Sequence, residues 1–159
     1  MLRLGVVLIL LFGLLMNKAY ADDMPAEQKL ALAYLDAYSK NEFSKVEQYY
    51  SRESIFEDKT AKRKYKGRYR IINFLKRARS GILESRFQID HMFNSGSLVV
   101  VIGSQYYRGP GEQFGKPGKI IELAIPGVTT LTLDMTENQV KEHIDLLDYQ
   151  TMTDQLLTQ

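Results

Sequence analysis

Apolar residues in the first part of the chain recur at intervals of three and four, which places them on one face of a helix. A first helix is predicted to begin after Pro25 and to end at the polar segment 40–42. A second, shorter helix follows it, and a third is predicted over Tyr69–Arg79, between Gly67 and Gly81. The apolar face of the first helix consists of Leu30, Ala31, Tyr34, Leu35 and Tyr38, and that of the second of Phe43, Val46, Tyr49 and Tyr50.

The apolar period changes from 3.6 to 2 after Gly81, and this change indicates strands. Alternation predicts that Phe87, Ile89, His91 and Phe93 share one face of the first long strand. A short strand, Ser54–Thr60, precedes the third helix, and Lys62–Lys66 is expected to pair with it. The later strands are predicted over Leu98–Tyr107, Lys119–Asp134 and Val140–Tyr149, and a last short helix is predicted to be capped by Thr151 and Asp154. Helices segregated from an antiparallel meander define an α+β domain.

The N-terminus has the composition of a secretory signal peptide. Arg3 precedes an apolar run over Leu4–Met16, and Ala19 and Ala21 are small residues at the two positions that a signal peptidase reads. The run of 13 residues is shorter than the ~20 needed to span a bilayer. We therefore expect residues 1–21 to be a cleaved signal peptide, residues 22–159 to be one domain, and the protein to be periplasmic or secreted, without stable membrane insertion. An uncleaved N-terminal anchor is the alternative.

Charge and cysteine content exclude several classes of function. The chain has no Cys, so disulfides and thiolate metal sites are excluded. Loss of Arg3 and Lys18 on cleavage lowers the Lys and Arg count from 21 to 19, equal to the 19 Asp and Glu, so no nucleic-acid partner is expected. The segment Lys59–Arg79 nevertheless holds ten Lys or Arg and no acid. This segment is either a solvated face or the rim of an anion-binding site.

Three segments together resemble the nuclear transport factor 2-like superfamily, which includes SnoaL-like proteins. Leu32–Lys59 is similar to its opening, with two helices and a strand that ends in Phe-Glu-Asp. Gly67 followed by Ile71-Ile72 and Phe74 is similar to its next helix, and Val140–Asp148 to the last strand of SnoaL-like members. The resemblance implies a cone-shaped, curved antiparallel sheet wrapped around the N-terminal helices, with a pocket between them. Members differ widely in activity, so the fold alone does not identify a function.

The resemblance also implies candidate catalytic residues. Tyr34 and Asp58 stand at the separation of the catalytic Tyr and Asp of steroid isomerases, where Asp58 would act as a base and Tyr34 as a donor to an enolate oxygen. The stretch Val128–Leu131, however, lacks the second acidic donor, and Lys59 follows Asp58. Similarity to SnoaL-like cyclases makes Asp148 the candidate acid/base carboxylate. The alternative is that Asp148 stays near the surface and helps to start the last helix.

Aromatic residues form the other candidate site. Apolar walls with a few inward hydroxyls suit a flat, mostly hydrophobic small molecule. The predicted ligand-binding residues are Tyr38, Tyr50, Phe56, Phe74, Phe87 and His91. An ordinary core is the alternative for this set, and a packed core or pocket position for His91. His143 and Asp145 alternate on one face of the last strand, but two ligands without a third do not predict a metal site, and no cofactor is expected.

Three functions fit these observations. The first is an exported domain that binds a small apolar ligand without catalysis. The second is an acid/base enzyme, an isomerase, cyclase or dehydratase, that uses Asp58 or Asp148 with Tyr34. The third is a periplasmic interaction or scaffold module held by a retained N-terminus. The resemblance further implies a homodimer formed through the outer face of the sheet.

Overall fold

The protein is described from a computed structural model, and the residues that the structure describes are 24–159. The predicted signal peptide, residues 1–21, lies outside the described residues. Four helices are present in the described part: α1 (Ala26–Ser39), α2 (Phe43–Val46), α3 (Arg68–Ala78) and α4 (Tyr149–Leu157). One 3-10 turn, Glu47–Tyr49, follows α2, and a second, Glu112–Phe114, lies after residue 110. Within residues 24–159, no helix is long and apolar enough to cross a membrane.

Six strands form one curved, mixed sheet. They are β1 (Ile55–Asp58), β2 (Arg63–Lys66), β3 (Glu84–Ser95), β4 (Leu98–Pro110), β5 (Ile120–Asp134) and β6 (Gln139–Leu147). The strand order is β2-β1-β6-β5-β4-β3. All neighbours are antiparallel except β1 and β6, which pair in parallel. The predicted α+β architecture is therefore confirmed, with one parallel pair that the alternation pattern did not predict.

The core lies between the inner face of the sheet and the helices. From α1 it takes Ala31, Tyr34, Leu35, Ala37 and Tyr38, and from α3 it takes Ile71, Ile72 and Leu75. These packed side chains meet inward residues of the sheet such as Val99, Val101 and Leu131. Full burial of one such aliphatic side chain contributes about 1.5–3 kcal/mol. The three- and four-residue apolar spacing of α1 and α3 thus records which helix faces are buried.

Two glycines face each other on neighbouring strands. Gly103 of β4 pairs in register with Gly127 of β5, and an added Cβ would lie 2.0 Å from Gln88 O at Gly103 and 2.6 Å from Leu146 O at Gly127. No side chain fits between backbones at that separation. These two positions of the sheet therefore require glycine.

A β-bulge in β3 overturns one sequence prediction. The register shifts between Ile89 and His91, so alternation is interrupted there. Phe87 and Ile89 face the core and Met92 continues that inner face, whereas His91 is exposed. The predicted core or pocket position of His91 is wrong, because the extra residue turns its side chain to the outer face.

Candidate functional site

A pocket of about 190 Å³ opens between the inner face of the sheet, α3 and α4. The residues that line it are mostly apolar or aromatic. They include Phe56, Phe74, Leu75, Phe87, Tyr106, Tyr107, Phe114, Ile125, Leu147 and Met152. The sequence folds this way locally because α3 turns its apolar stripe toward the sheet and α4 begins directly at the end of β6. Such walls exclude water and favour a ligand with flat, apolar surfaces.

Two carboxylates form one side of the pocket, which we call the carboxylate floor. Asp58, at the end of β1, stands opposite Asp145 of β6 in the parallel register. Both side chains line the pocket, and both are buried, with 8% of Asp58 and 2% of Asp145 exposed. Buried carboxylates in an apolar pocket are unusual unless they are paired or functional. The parallel pairing of β1 with β6 is what brings them together.

Asp145 is held as an anion by its neighbours. Its carboxylate accepts a hydrogen bond from the Thr129 hydroxyl. His143 Nε2 lies 3.0 Å from Asp145 Oδ1, close enough for an ion pair but off the axis of a hydrogen bond. Burial alone would raise the pKa of Asp145, but the His143 charge and the hydrogen bonds outweigh it, and the pKa is lowered. Asp145 is therefore ionised at neutral pH.

Asp58 is held from two sides. Its carboxylate accepts a hydrogen bond of 2.8 Å from the Ala61 backbone N–H and another from the Tyr149 hydroxyl. Burial and the adjacent Asp58 raise the pKa of Tyr149 well above its usual value, so Tyr149 stays a donor. This hydrogen bond ties the start of α4 to the carboxylate floor.

A buried hydrogen-bond chain lies behind the pocket. The Tyr34 hydroxyl bonds to the Tyr50 hydroxyl and lies 2.6 Å from His143 Nδ1. All three side chains are fully buried, and burial is the main reason that the pKa values of both tyrosines are raised. The chain orients the imidazole that supports Asp145. Tyr34 and Tyr50 thus lie behind the lining residues and do not line the pocket themselves.

The predicted site residues separate into two groups. Asp58, Tyr38, Phe56, Phe74 and Phe87 line one pocket, as the sequence analysis proposed. Tyr34, Tyr50, His91 and Asp148 do not.

Asp148 begins α4 instead. Its carboxylate accepts hydrogen bonds from the Thr151 backbone N–H, at 3.0 Å, and from the Thr151 hydroxyl. This is the alternative role that the sequence left open for Asp148. It also corrects the predicted cap, because the helix begins at Tyr149 with Asp148 as its N-cap and Thr151 as the donor.

The sequence predicts no role for Asp145 in the pocket, and considers it only with His143 as one of two possible metal ligands. Among the described residues, no group of three or more His, Asp or Glu side chains is placed to hold a metal ion. Alternation along the strands places His143 and Asp145 on the same face of the sheet as Phe56 and Asp58 of β1. The sequence does not show that Asp145 lies beside Asp58, because it does not show that β1 and β6 are neighbours.

The family model of SnoaL-like polyketide cyclases matches residues 28–156. The chain belongs to this family. A SnoaL-like protein from Shewanella putrefaciens CN-32 is 58% identical, covers 86% of this chain and 100% of its own, and superposes with a TM-score of 0.85. A SnoaL-like protein from Shewanella denitrificans OS-217 is 55% identical with the same coverage and a TM-score of 0.84. No curated protein matches the sequence.

More distant structures share only the fold with this SnoaL-like protein. TerC, co-crystallised with polyporic acid, is 13% identical, covers 82% of this chain and 98% of its own, and has a TM-score of 0.63. At that identity the similarity extends to the curved sheet and its helices. A protein from Catenulispora acidiphila DSM 44928 with a ketosteroid isomerase-like fold is 16% identical, covers 79% of this chain and 90% of its own, and has a TM-score of 0.64. Together with the family match, this confirms the resemblance to the nuclear transport factor 2-like superfamily.

Proposed function

We propose that this protein binds a small, planar and mostly apolar molecule in the pocket, with a polar group of that molecule directed at the carboxylate floor. The observation that carries the proposal is the combination of aromatic walls with two buried carboxylates, Asp58 and Asp145, in one cavity. The volume of about 190 Å³ is below the ~300–1,000 Å³ of pockets for drug-sized ligands. A molecule of one or two fused rings fits this space.

A polar donor beside the floor supports this orientation. Gln105 lines the pocket, and its side chain interacts with the Asp145 carboxylate and helps to lower the pKa of Asp145. A primary amide has two N–H donors, and a carbonyl or hydroxyl oxygen of a ligand would accept from the second.

The test uses a pair of tryptophan substitutions. Ile125→Trp places a large ring in the pocket, whereas Ile102→Trp places it on the outer face of β4. Binding of 2-naphthamide, measured by isothermal titration calorimetry, should weaken by about tenfold or more in Ile125→Trp and by less than about twofold in Ile102→Trp. Equal affinities in both variants, or no binding to the wild type of any one- or two-ring probe, would overturn the proposal.

Proton transfer at the carboxylate floor is a second candidate function. The specific observation is that Asp145 is buried and lies 3.0 Å from His143 Nε2, while Asp58 lies beside it in register. A desolvated carboxylate next to a bound ketone is a general base for the C–H adjacent to the carbonyl. Gln105 supplies an amide hydrogen-bond donor on the same pocket surface.

This second function is tested with a two-ring ketone. Exchange of the α protons of 2-tetralone in D₂O, followed by NMR, should be faster with the wild type than with buffer. Asp145→Asn should remove most of the acceleration. Asp148→Asn is the matched control, because Asp148 does not line the pocket and Asn is also a good N-cap. Acceleration that survives in Asp145→Asn would argue against a base at this position.

Export is proposed from residues 1–21. The basic start, the short apolar run and the Ala-Tyr-Ala end support cleavage after Ala21. Mass spectrometry of the protein recovered from cells should give an N-terminus at Asp22. A chain that retains residues 1–21 would favour the anchored interaction module instead.

A homodimer through the outer face of the sheet is also proposed. Phe93, Ile102 and Leu146 are exposed there by 52%, 37% and 49%. Ile102 and Leu146 are aligned across the sheet through Val128 and form an apolar patch with it. Light scattering coupled to gel filtration should give the mass of a dimer, and Leu146→Glu should give that of a monomer. A monomeric wild type would contradict this proposal.

A further inference from the structure

Arg79 is a cation on the rim of the pocket, at the end of α3. Its side chain is partly buried and lines the pocket. Nε donates to the Asn41 side-chain oxygen, and Nη2 donates to Ser39 O at 3.3 Å and to the Ser85 hydroxyl at 2.8 Å. The guanidinium carbon lies 4.6 Å from the centre of the Tyr38 ring. These contacts fix the guanidinium.

None of the groups that hold Arg79 is an anion. Within residues 24–159, no carboxylate lies within ion-pair distance of Arg79. Arg86, which also reaches the pocket, differs: it is exposed, lies 3.6 Å from Glu84 and stacks on Tyr106. No carboxylate therefore neutralises the positive charge of Arg79. The charge interacts only with neutral hydrogen-bond acceptors, with the C-terminal end of α3 and with the face of the Tyr38 ring.

The charges of the pocket are separated across the sheet. Arg79 contacts β3, at one edge of the strand order, whereas Asp58 and Asp145 lie on β1 and β6 toward the other edge. An anion placed beside the two carboxylates would be repelled by them. An anion placed beside Arg79 would be attracted, and the low polarity of the aromatic walls strengthens that attraction.

We propose that Arg79 is a specificity-determining residue that selects ligands with a carboxylate or enolate group and places that group at the α3–β3 end of the pocket. The inference rests on the proposed binding function and names its substrate class: planar one- or two-ring organic anions. The opposite, neutral end of such a ligand then lies against the carboxylate floor. This arrangement aligns the ligand by charge before any shape complementarity acts.

The test compares two probes of nearly equal shape, 2-naphthoate and its neutral isostere 2-naphthamide. Wild type should bind 2-naphthoate about tenfold or more tightly, because hydrogen bonds to ionised groups are about twice as strong as neutral ones. Arg79→Gln should remove this preference and leave the affinity for 2-naphthamide within about twofold. Arg79→Lys should keep part of it, because it keeps the charge and loses the planar fork.

Arg77→Gln is the matched control, because Arg77 is exposed on the same helix and does not line the pocket. It should leave the preference for 2-naphthoate unchanged.

Equal binding of the two probes to the wild type, or a preference that persists in Arg79→Gln, overturns the inference while the binding function stands. Failure of both probes to bind the wild type overturns both. A purely structural role of Arg79 would weaken both probes equally, and the wild-type comparison holds even if Arg79→Gln does not fold.

Discussion

The buried hydrogen-bond chain Tyr50–Tyr34–His143 predicts that Tyr34→Phe lowers the stability of the fold more than Tyr50→Phe does. Tyr34 is its middle member, so Tyr34→Phe removes one hydroxyl and leaves both the Tyr50 hydroxyl and His143 Nδ1 without their partner. Tyr50→Phe removes only the end of the chain, and Tyr34 keeps its hydrogen bond to His143. Both replacements preserve ring volume, so no cavity term is added.

The magnitudes follow from burial. A net hydrogen bond contributes about 0.5–1.5 kcal/mol, and a buried polar group left unpaired adds about 1–3 kcal/mol. All three side chains have no exposed surface, so water cannot replace the missing partner. We expect Tyr34→Phe to lower the free energy of unfolding by about 3 kcal/mol and Tyr50→Phe by about 1 kcal/mol. The double variant should be less destabilised than the sum, because only His143 is then left unpaired.

Urea unfolding at pH 7, followed by circular dichroism, measures these free energies under a two-state analysis. Tyr69→Phe is the control: its side chain is 79% exposed, and its replacement should change stability by less than about 0.5 kcal/mol. Equal losses in the two buried variants would refute the account. So would a large loss of ligand affinity in a folded Tyr34→Phe protein, since that result would place the Tyr34 hydroxyl in the pocket.

Three further outcomes are expected. The pKa of Asp145 is lowered in the folded state, so the ionised carboxylate stabilises the fold above the unfolded value of ~3.9, and this stabilisation is lost as the pH falls below that value. The difference in unfolding free energy between wild type and Asp145→Asn should therefore narrow from pH 6 to pH 3. A constant difference would contradict the lowered pKa. The Gln155 side chain forms hydrogen bonds with both Ala124 N, at 2.9 Å, and Ala124 O, at 2.8 Å. Gln155→Ala should therefore speed hydrogen exchange of the Ala124 amide by about tenfold. An unchanged exchange rate would show that the Gln155 hydrogen bond does not protect this amide. Gly103→Ala places a Cβ 2.0 Å from Gln88 O. Urea unfolding should show that the substitution lowers the free energy of unfolding by about 2–4 kcal/mol. A loss below about 1 kcal/mol would mean that the two backbones separate easily.

Local sequence patterns predicted most of the fold because each pattern reports a physical period. The apolar stripe of α3 was predicted over Tyr69–Arg79 and is observed over Arg68–Ala78. The hairpin of β1 and β2 was predicted from two short segments and is present. The period fails at the bulge before His91, because one extra residue reverses the side-chain alternation and nothing in the local composition marks it.

The site was predicted only in part, for a different reason. The aromatic residues were identified because their types favour a pocket, and Asp58 was identified through the resemblance to steroid isomerases. The identity of the second carboxylate depends on which strand lies beside β1, and that is a long-range property. The resemblance placed the acid at Asp148, three residues beyond Asp145, where the strand has already ended and the residue caps α4.

The central claim is that a ligand binds inside the curved sheet. Intermolecular nuclear Overhauser effects between bound 2-naphthoate and the methyl groups of the protein test it most directly. We predict contacts to Leu75, Ile125 and Leu147, which line the pocket, and none to Ile102 or Leu146 on the outer face. Contacts to the outer-face methyl groups alone, or none at saturating probe, would contradict the account.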